Sequence, residues 1–234
     1  MDAGPAVPVD YDDDPGRFAA NQEATARFVG RADVHAGVAD TLAGRGCRRV
    51  VDIGGGNGLL ARRLMAHGVS TVVIDRAAYV ERAPGLRMRA DALALPFPDA
   101  SFDAAAALWM LYHLPDPGLA LREAHRVLRP GGLLAVCAPS RFNDPELAAV
   151  LPAWGRASSF DAENGPGLLA EVFPDADVDR WDHPSVTLPD RAAATLFLRG
   201  RGLPPDRAAE AAARLDPPMR VTKRGFLALA RKPA

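Results

Sequence analysis

The residues of this 234-residue chain best suited to chemistry are carboxylates and glycines at the ends of short β-branched runs. Asp52 stands near the end of Arg49-Val50-Val51-Asp52-Ile53, and Gly54, Gly56 and Gly58 follow at once. Leu59 to Met65 is then apolar at helical spacing, so the stretch reads as strand, glycine turn, helix. Glycines there permit positive φ and let the backbone approach a ligand closely. The helix offers free N–H groups and a positive dipole end. A nucleotide-like ligand suits the place, and two kinds remain open. Gly56-x-Gly58-x-x-Ala61 satisfies the relaxed dinucleotide fingerprint, with Asp75 about 20 residues on as a ribose-binding acid. Asp52 argues the other way. A carboxylate directly before the glycines repels a pyrophosphate and suits a ligand that brings cationic groups. The plainer role for Asp52 is bracing the turn.

These residues need elements to hold them. Thr71–Asp75, Leu86–Arg89, Phe102–Leu108 and Leu133–Ala138 read as further strands, and Pro117–Leu128 as an amphipathic helix ended by Pro130-Gly131-Gly132. Strands alternating with helices predict a parallel sheet with helices on both faces. Ligands then bind beyond the carboxyl ends of the strands, which points to Gly54, Asp75, Asp91, Leu108 to His113, and Pro139 to Phe142. Before the core, residues 1–16 read as a flexible arm, and helices are expected over Arg17–Val29 and Asp33–Leu42. After it, short helices are expected within Asn143–Trp154 and Gly165–Phe173. An extended run follows over Val178–Leu188, then helices over Arg191–Arg199 and Pro205–Leu215, and a last strand over Val221–Ala230 with Gly225 at a bulge. The divisions are 1–16 arm, 17–46 N-terminal helices, 47–140 core, and 141–234 a C-terminal half with substrate-cap insertions and the last strands.

Composition excludes several classes. The 28 basic and 29 acidic residues leave a net charge of −1, against a general nucleic-acid binder. No apolar run is long enough for a membrane span. Asp2 and the lack of a basic, apolar leader pattern predict a cytoplasmic protein. With two cysteines, Cys47 and Cys137, both read as inert and buried, neither a disulfide framework nor a cysteine metal site is expected, and no metal is predicted.

Four segments together resemble a known family. Asp52-Ile53-Gly54-Gly55-Gly56-Asn57-Gly58 is similar to the first motif of class I S-adenosylmethionine-dependent methyltransferases. Asp91-Ala92-Leu93-Ala94-Leu95-Pro96-Phe97-Pro98-Asp99-Ala100-Ser101-Phe102-Asp103, Leu111-Tyr112-His113-Leu114-Pro115-Asp116-Pro117 and Arg126-Val127-Leu128-Arg129-Pro130-Gly131-Gly132 resemble its ubiquinone/biotin-type small-molecule branch. The likeness covers roughly residues 48 to 140. It implies a Rossmann-like, doubly wound, mostly parallel seven-stranded α/β sheet with a small helical cap, and S-adenosylmethionine as cofactor. Asp75 would take the ribose hydroxyls with Arg76 beside it, Asp91 and the Ala92 N–H the adenine, and Gly54, Gly56 and the Leu108 carbonyl the methionine portion. Asp52 would act directly or through water or backbone. Relatives place a longer helix after Asp75 than Arg76–Arg82 allows.

His113 stands at the rim of the expected site and can accept a proton near neutral pH; Tyr112 is its neighbour. A structural histidine at the turn before Pro115 is the plainer reading. Trp109, Tyr112, Phe142, Trp154 and Phe160 are expected to wall an acceptor pocket, with ordinary core packing as the alternative, and Tyr11 and Phe18 to form a lid. The expected partner is a small-molecule methyl acceptor, with no nucleic acid and no membrane. The other readings are an RNA or protein methyltransferase, an S-adenosylmethionine-binding protein with a different activity, and a nicotinamide enzyme.

Overall fold

A computed structural model describes residues 14–30 and 33–233; Tyr11 and most of the predicted arm lie outside them. The seven strands are β1 (Arg49–Ile53), β2 (Ser70–Asp75), β3 (Leu86–Arg89), β4 (Phe102–Leu108), β5 (Leu128–Pro139), β6 (Ala176–Leu188) and β7 (Met219–Arg231). The helices are α1 (Pro15–Phe28), α2 (Val34–Gly44), α3 (Leu59–Ala66), α4 (Pro117–Val127), α5 (Gly165–Ala170), α6 (Arg191–Gly200) and α7 (Pro205–Ala213). One sheet runs β3-β2-β1-β4-β5-β7-β6. The first five strands pair in parallel, and β7 is antiparallel to both β5 and β6. The order reverses between β1 and β4, so their carboxyl ends open the crevice in which such sheets bind ligands.

Local chemistry accounts for the element boundaries. Asp14 caps α1 by accepting the Arg17 N–H at 3.1 Å, with proline in the first turn. The helix therefore starts inside the stretch expected to be arm. Asp33 caps α2 and Asp116 caps α4 in the same way. Only a short 3₁₀ turn, Ala78–Arg82, stands between β2 and β3. The helix expected within Asn143–Trp154 is likewise reduced to a 3₁₀ turn, Pro145–Leu147. Asp144 just before it is left-handed, at φ 58°, with its carboxylate engaged elsewhere. Gly225 is not at a bulge; the irregularity lies on β6 between Pro184 and Val186. Position 225 is glycine because a β-carbon there would lie 2.6 Å from the Trp181 ring and 2.7 Å from the Ala138 carbonyl.

Apolar side chains cover both faces of the sheet. Val51, Ile74, Phe102 and Val136 pack with Leu121 of α4 and Leu169 of α5. Val50, Ala104, Ala106 and Cys137 pack with Leu42 of α2 and Leu60 and Leu64 of α3. Both cysteines are buried, and burial raises the Cys47 pKa. A separate cluster joins α1, α6 and α7 through Phe28, Phe197, Leu198 and Ala208 and forms the cap. The two N-terminal helices thus part company: α1 packs with the cap and α2 with the core. Gly200 allows the close approach of α1, since a β-carbon there would lie 2.8 Å from the Asn21 backbone. Among the described residues, no helix is long and apolar enough to cross a membrane.

Cap and core also share a buried acid. The Asp144 carboxylate accepts Arg201 Nε at 2.7 Å and Lys223 Nζ at 2.8 Å, and Arg201 also donates to Asn21 of α1 at 3.1 Å. Burial raises the Asp144 pKa, but the two cations outweigh it and hold it below the usual carboxylate range. Burial, followed by the charge of Arg201, brings Lys223 down to about 8.

Arg126 of α4 clamps the segment leading into β4. Its guanidinium donates to the Leu95 and Phe97 carbonyls at 2.9 and 2.7 Å and to Asp99 at 2.9 Å. It also holds Glu123 at 2.7 Å, and Glu123 accepts the Leu95 N–H at 2.7 Å. Arg126→Ala should cost ~1–2 kcal/mol, a modest figure for a partly exposed cation. An unchanged midpoint in urea denaturation would show that the clamp contributes nothing.

Candidate cofactor and acceptor site

The site begins with β1 and its turn. Asp52 is only 2% exposed. Its carboxylate folds up against the backbone of Gly55, so closely that a β-carbon at 55 would drive into it. Its Oδ2 is buried and has no hydrogen-bond partner. Burial, with the Asp75 carboxylate adding to it, pushes its pKa up to about 7. Asp75 ends the neighbouring strand and organises the turn: Oδ2 accepts the Gly56 N–H and Oδ1 the Ala77 N–H, each at 2.9 Å. Two acids and a glycine loop therefore share the mouth of the sheet. A buried oxygen without a partner fits a ligand carrying positive charge, and the glycine cradle leaves room for it at the backbone.

Other predicted residues surround this pair. Gly54, at φ 65°, packs against Met110, whose Cβ and Cγ would lie 2.8 Å from a β-carbon at 54. Gly56, at φ 54°, faces the rings of Phe18 and Tyr79. Those rings stack with centroids 4.4 Å apart and planes 3° from parallel. Gln22 of α1 also accepts from the Asn57 amide at 3.3 Å, so α1 lies across the glycine turn. Arg76 is exposed, and its carbonyl accepts Arg89 Nε at 3.1 Å. Asp91 is exposed and braces a turn by accepting the Leu93 N–H at 2.9 Å, while Ala92 is buried. Leu108 is buried at the end of β4.

The aromatic wall expected as one surface divides into parts. Phe142 and Trp154 meet edge to face at 5.5 Å, with Phe142 40% exposed and the Trp154 indole donating to the Asn143 carbonyl at 3.0 Å. Tyr112 and His113 have rings 4.5 Å apart in the 3₁₀ turn Leu111–His113, and the Tyr112 carbonyl accepts Ser159 Oγ at 3.3 Å. Trp109 instead packs edge-on against Trp181, at 6.0 Å. Phe160 is fully buried against Phe226 and belongs to the core, so it walls no pocket. Sequence reasoning passed over Gly55, Tyr79, Met110 and Trp181. For Tyr79 a signal existed, since the chain has only three tyrosines and this one follows Asp75 closely.

Known proteins resemble this chain over part of its length. A family model described as a methyltransferase domain matches residues 51–136. A 27-O-demethylrifamycin SV methyltransferase of Amycolatopsis mediterranei is 41% identical over 128 residues, covering 49% of this chain and 45% of that protein. The ubiquinone/menaquinone biosynthesis C-methyltransferase UbiE of Roseobacter denitrificans is 32% identical over 162 residues, covering 59% and 65%. The chain thus spans about half to two thirds of the length of these relatives. The YcgJ protein of Bacillus subtilis superposes with a TM-score of 0.64 at 22% identity, over 86% of this chain and 98% of that one. The [4+2]-cyclase SpnF superposes with a TM-score of 0.63 at 23% identity, over 98% and 99%; at such identities both show a shared fold. Residues 51–136 therefore carry a methyltransferase domain of the S-adenosylmethionine-dependent kind, in the Rossmann-like fold that the solved structures share. S-adenosylmethionine is the methyl donor the family implies.

The state of Asp52 makes stability depend on pH. Its folded pKa, about 7, lies above the unfolded value near 4. The stability linked to it is full below about pH 4 and is lost as pH rises to about 7. Asp52→Asn should remove this loss, leaving the variant ahead of wild type by roughly 2–4 kcal/mol more at pH 8 than at pH 4. Parallel urea titrations at the two pH values would measure it, and a constant difference would contradict the assignment. Gly55→Ala should lose cofactor binding through collision with Asp52, as read by calorimetry with S-adenosylhomocysteine; wild-type affinity would show that the contact relaxes freely.

Proposed function

We propose that this chain transfers a methyl group from S-adenosylmethionine to an O, N or C atom of a small molecule. The observation that carries the reading is the buried Asp52 oxygen without a partner beneath the glycine turn. It is an unfavourable neighbour for a pyrophosphate and a favourable one for an ammonium and a sulfonium. The methyltransferase-domain match over residues 51–136 supports the reading, as do the names of the rifamycin and ubiquinone relatives, which mark small-molecule acceptors. The near-neutral charge weighs against a nucleic-acid substrate.

In this reading Asp75 accepts from the ribose hydroxyls, with Arg76 beside it. Asp91 and the Ala92 N–H meet the adenine edge. Gly54, Gly56 and the Leu108 carbonyl hold the amino-acid portion, and Asp52 balances its positive charge from below. Bound there, S-adenosylmethionine supplies a methyl group already activated by its sulfonium. The chain's remaining task is alignment and exclusion of water. Phe18 and Tyr79 cover the turn, while Phe142, Trp154 and Tyr112 flank the acceptor side. His113 takes the proton from a hydroxyl or amine acceptor.

Asp75→Ala should weaken S-adenosylhomocysteine binding by ~1.5–3 kcal/mol, the range for hydrogen bonds to a charged group, while the protein stays folded. Calorimetry of both forms tests it, and equal affinities would remove Asp75 from the site. Uptake of NAD in place of S-adenosylhomocysteine would sink the whole reading. Once an acceptor is found in a panel of phenols, amines and quinol-type carbon nucleophiles, His113→Ala should lower kcat on a hydroxyl or amine acceptor by 10²–10⁴, the usual worth of a general base. Unchanged turnover would exclude His113 from that role.

A further inference from the structure

The chain turns sharply where β4 ends. Trp109 has φ 60°, the left-handed region, which bulky side chains rarely adopt because the β-carbon crowds the backbone. Its N–H still donates to the Cys137 carbonyl at 2.9 Å, so β5 holds the start of the turn. The next residue, Met110, is carried over β1 and lies against Gly54. The turn thereby sets Met110 over the glycine loop, beside the ends of β1 and β4 where the Leu108 carbonyl and the glycines stand.

A left-handed tryptophan persists only where its surroundings over-determine it. Here the indole meets Trp181 of β6, with centroids 6.0 Å apart and planes at 63°. Trp181 is 8% exposed and packs in the same cluster as Leu108 and Leu227. It has room there because β7 carries Gly225 at its contact, where any β-carbon would strike the ring. Both strands lie outside residues 51–136, the part matched by the methyltransferase domain model.

We propose that Trp181 is a positioning residue for cofactor binding: through Trp109 it holds the left-handed turn that sets the β4 side of the cofactor crevice. This rests on the cofactor reading above. Without Trp181, the turn relaxes toward right-handed conformations, and apparent affinity falls with the fraction of molecules that keep the competent turn.

The test compares Trp109→Ala, Trp109→Gly, Trp181→Ala and the double variant Trp109→Gly/Trp181→Ala, each titrated with S-adenosylhomocysteine. Trp181→Ala and Trp109→Ala should bind about tenfold more weakly than wild type, the factor that corresponds to the left-handed cost for a non-glycine residue. Trp109→Gly adopts the turn freely. It should bind more tightly than Trp109→Ala, although it removes more packing, and adding Trp181→Ala to it should cost nothing further. Glycine binding no better than alanine, or Trp181→Ala binding like wild type, would overturn the proposal. Hydrogen exchange of the Trp109 and Met110 amides in the unliganded protein supplies a second readout. It should quicken in Trp181→Ala, and unaltered exchange there overturns the proposal whether or not the protein binds S-adenosylhomocysteine. Failure of wild type to bind that compound would instead count against the cofactor reading. Should Trp181→Ala not fold, Trp181→Phe allows the same comparisons.

Discussion

A carboxylate deprived of water lies at the mouth of this sheet, and much of the local architecture accommodates it. Asp52 is buried with one oxygen lacking a partner, and the charge that adds to the effect of burial, that of Asp75, has the same sign. Such an arrangement costs stability in the unliganded chain and favours a cation brought by a ligand. It also dictates the composition of the turn. Gly55 must lack a side chain because Asp52 occupies that space, and Gly54 must lack one because Met110 does. Asp75 uses both oxygens on backbone N–H groups of the turn and the following segment, which fixes the loop before any ligand arrives. Local strain and an unpaired charge of this kind are typical of functional sites.

The elements around this centre differ in how they are tied down. The Arg126 guanidinium fastens Leu95, Phe97 and Asp99 to α4, which stabilises the stretch just after Asp91 and Ala92. On the opposite flank only a 3₁₀ turn separates β2 from β3. It contributes Tyr79, which meets Phe18 from α1 over Gly56. The covering of the glycine turn therefore comes from two separate places in the chain, one of them anchored to the cap through Gly200 and Arg201.

Much of this was legible in the sequence, for physical reasons. The runs that form β1, β2 and β4 are largely buried, glycines follow β1 and an acid ends β2, so these strands and the crevice at their ends followed from local pattern, while the seven-stranded sheet followed from the family resemblance. The start of α1 was misplaced by two residues because Asp14 and Pro15, a cap and a first-turn proline, resemble the composition of an arm. The contacts that decide a side chain's task were less accessible. Phe160 looked like a candidate for a pocket wall, yet it packs in the core on Phe226, 66 residues further along the chain, and the ring that meets Trp109 is that of Trp181, 72 residues further along. Gly225 was read as a bulge when its purpose is to admit the Trp181 ring. The helix expected after Asn143 gives way to a left-handed Asp144 whose partners, Arg201 and Lys223, lie far along the chain. Periodicity reports which face of an element is buried and is silent about which distant residue buries it.

The sharing of Asp144 between two cations from α6's end and β7 bears on how this architecture can be altered. The cap is not a detachable module. Grafting the α1–α6–α7 layer of a relative onto this sheet would remove Arg201 and leave the buried Asp144 with Lys223 alone, unless the incoming layer brought a cation to the same place. Recombination between members of such a family is therefore constrained to crossover points that keep this triad intact.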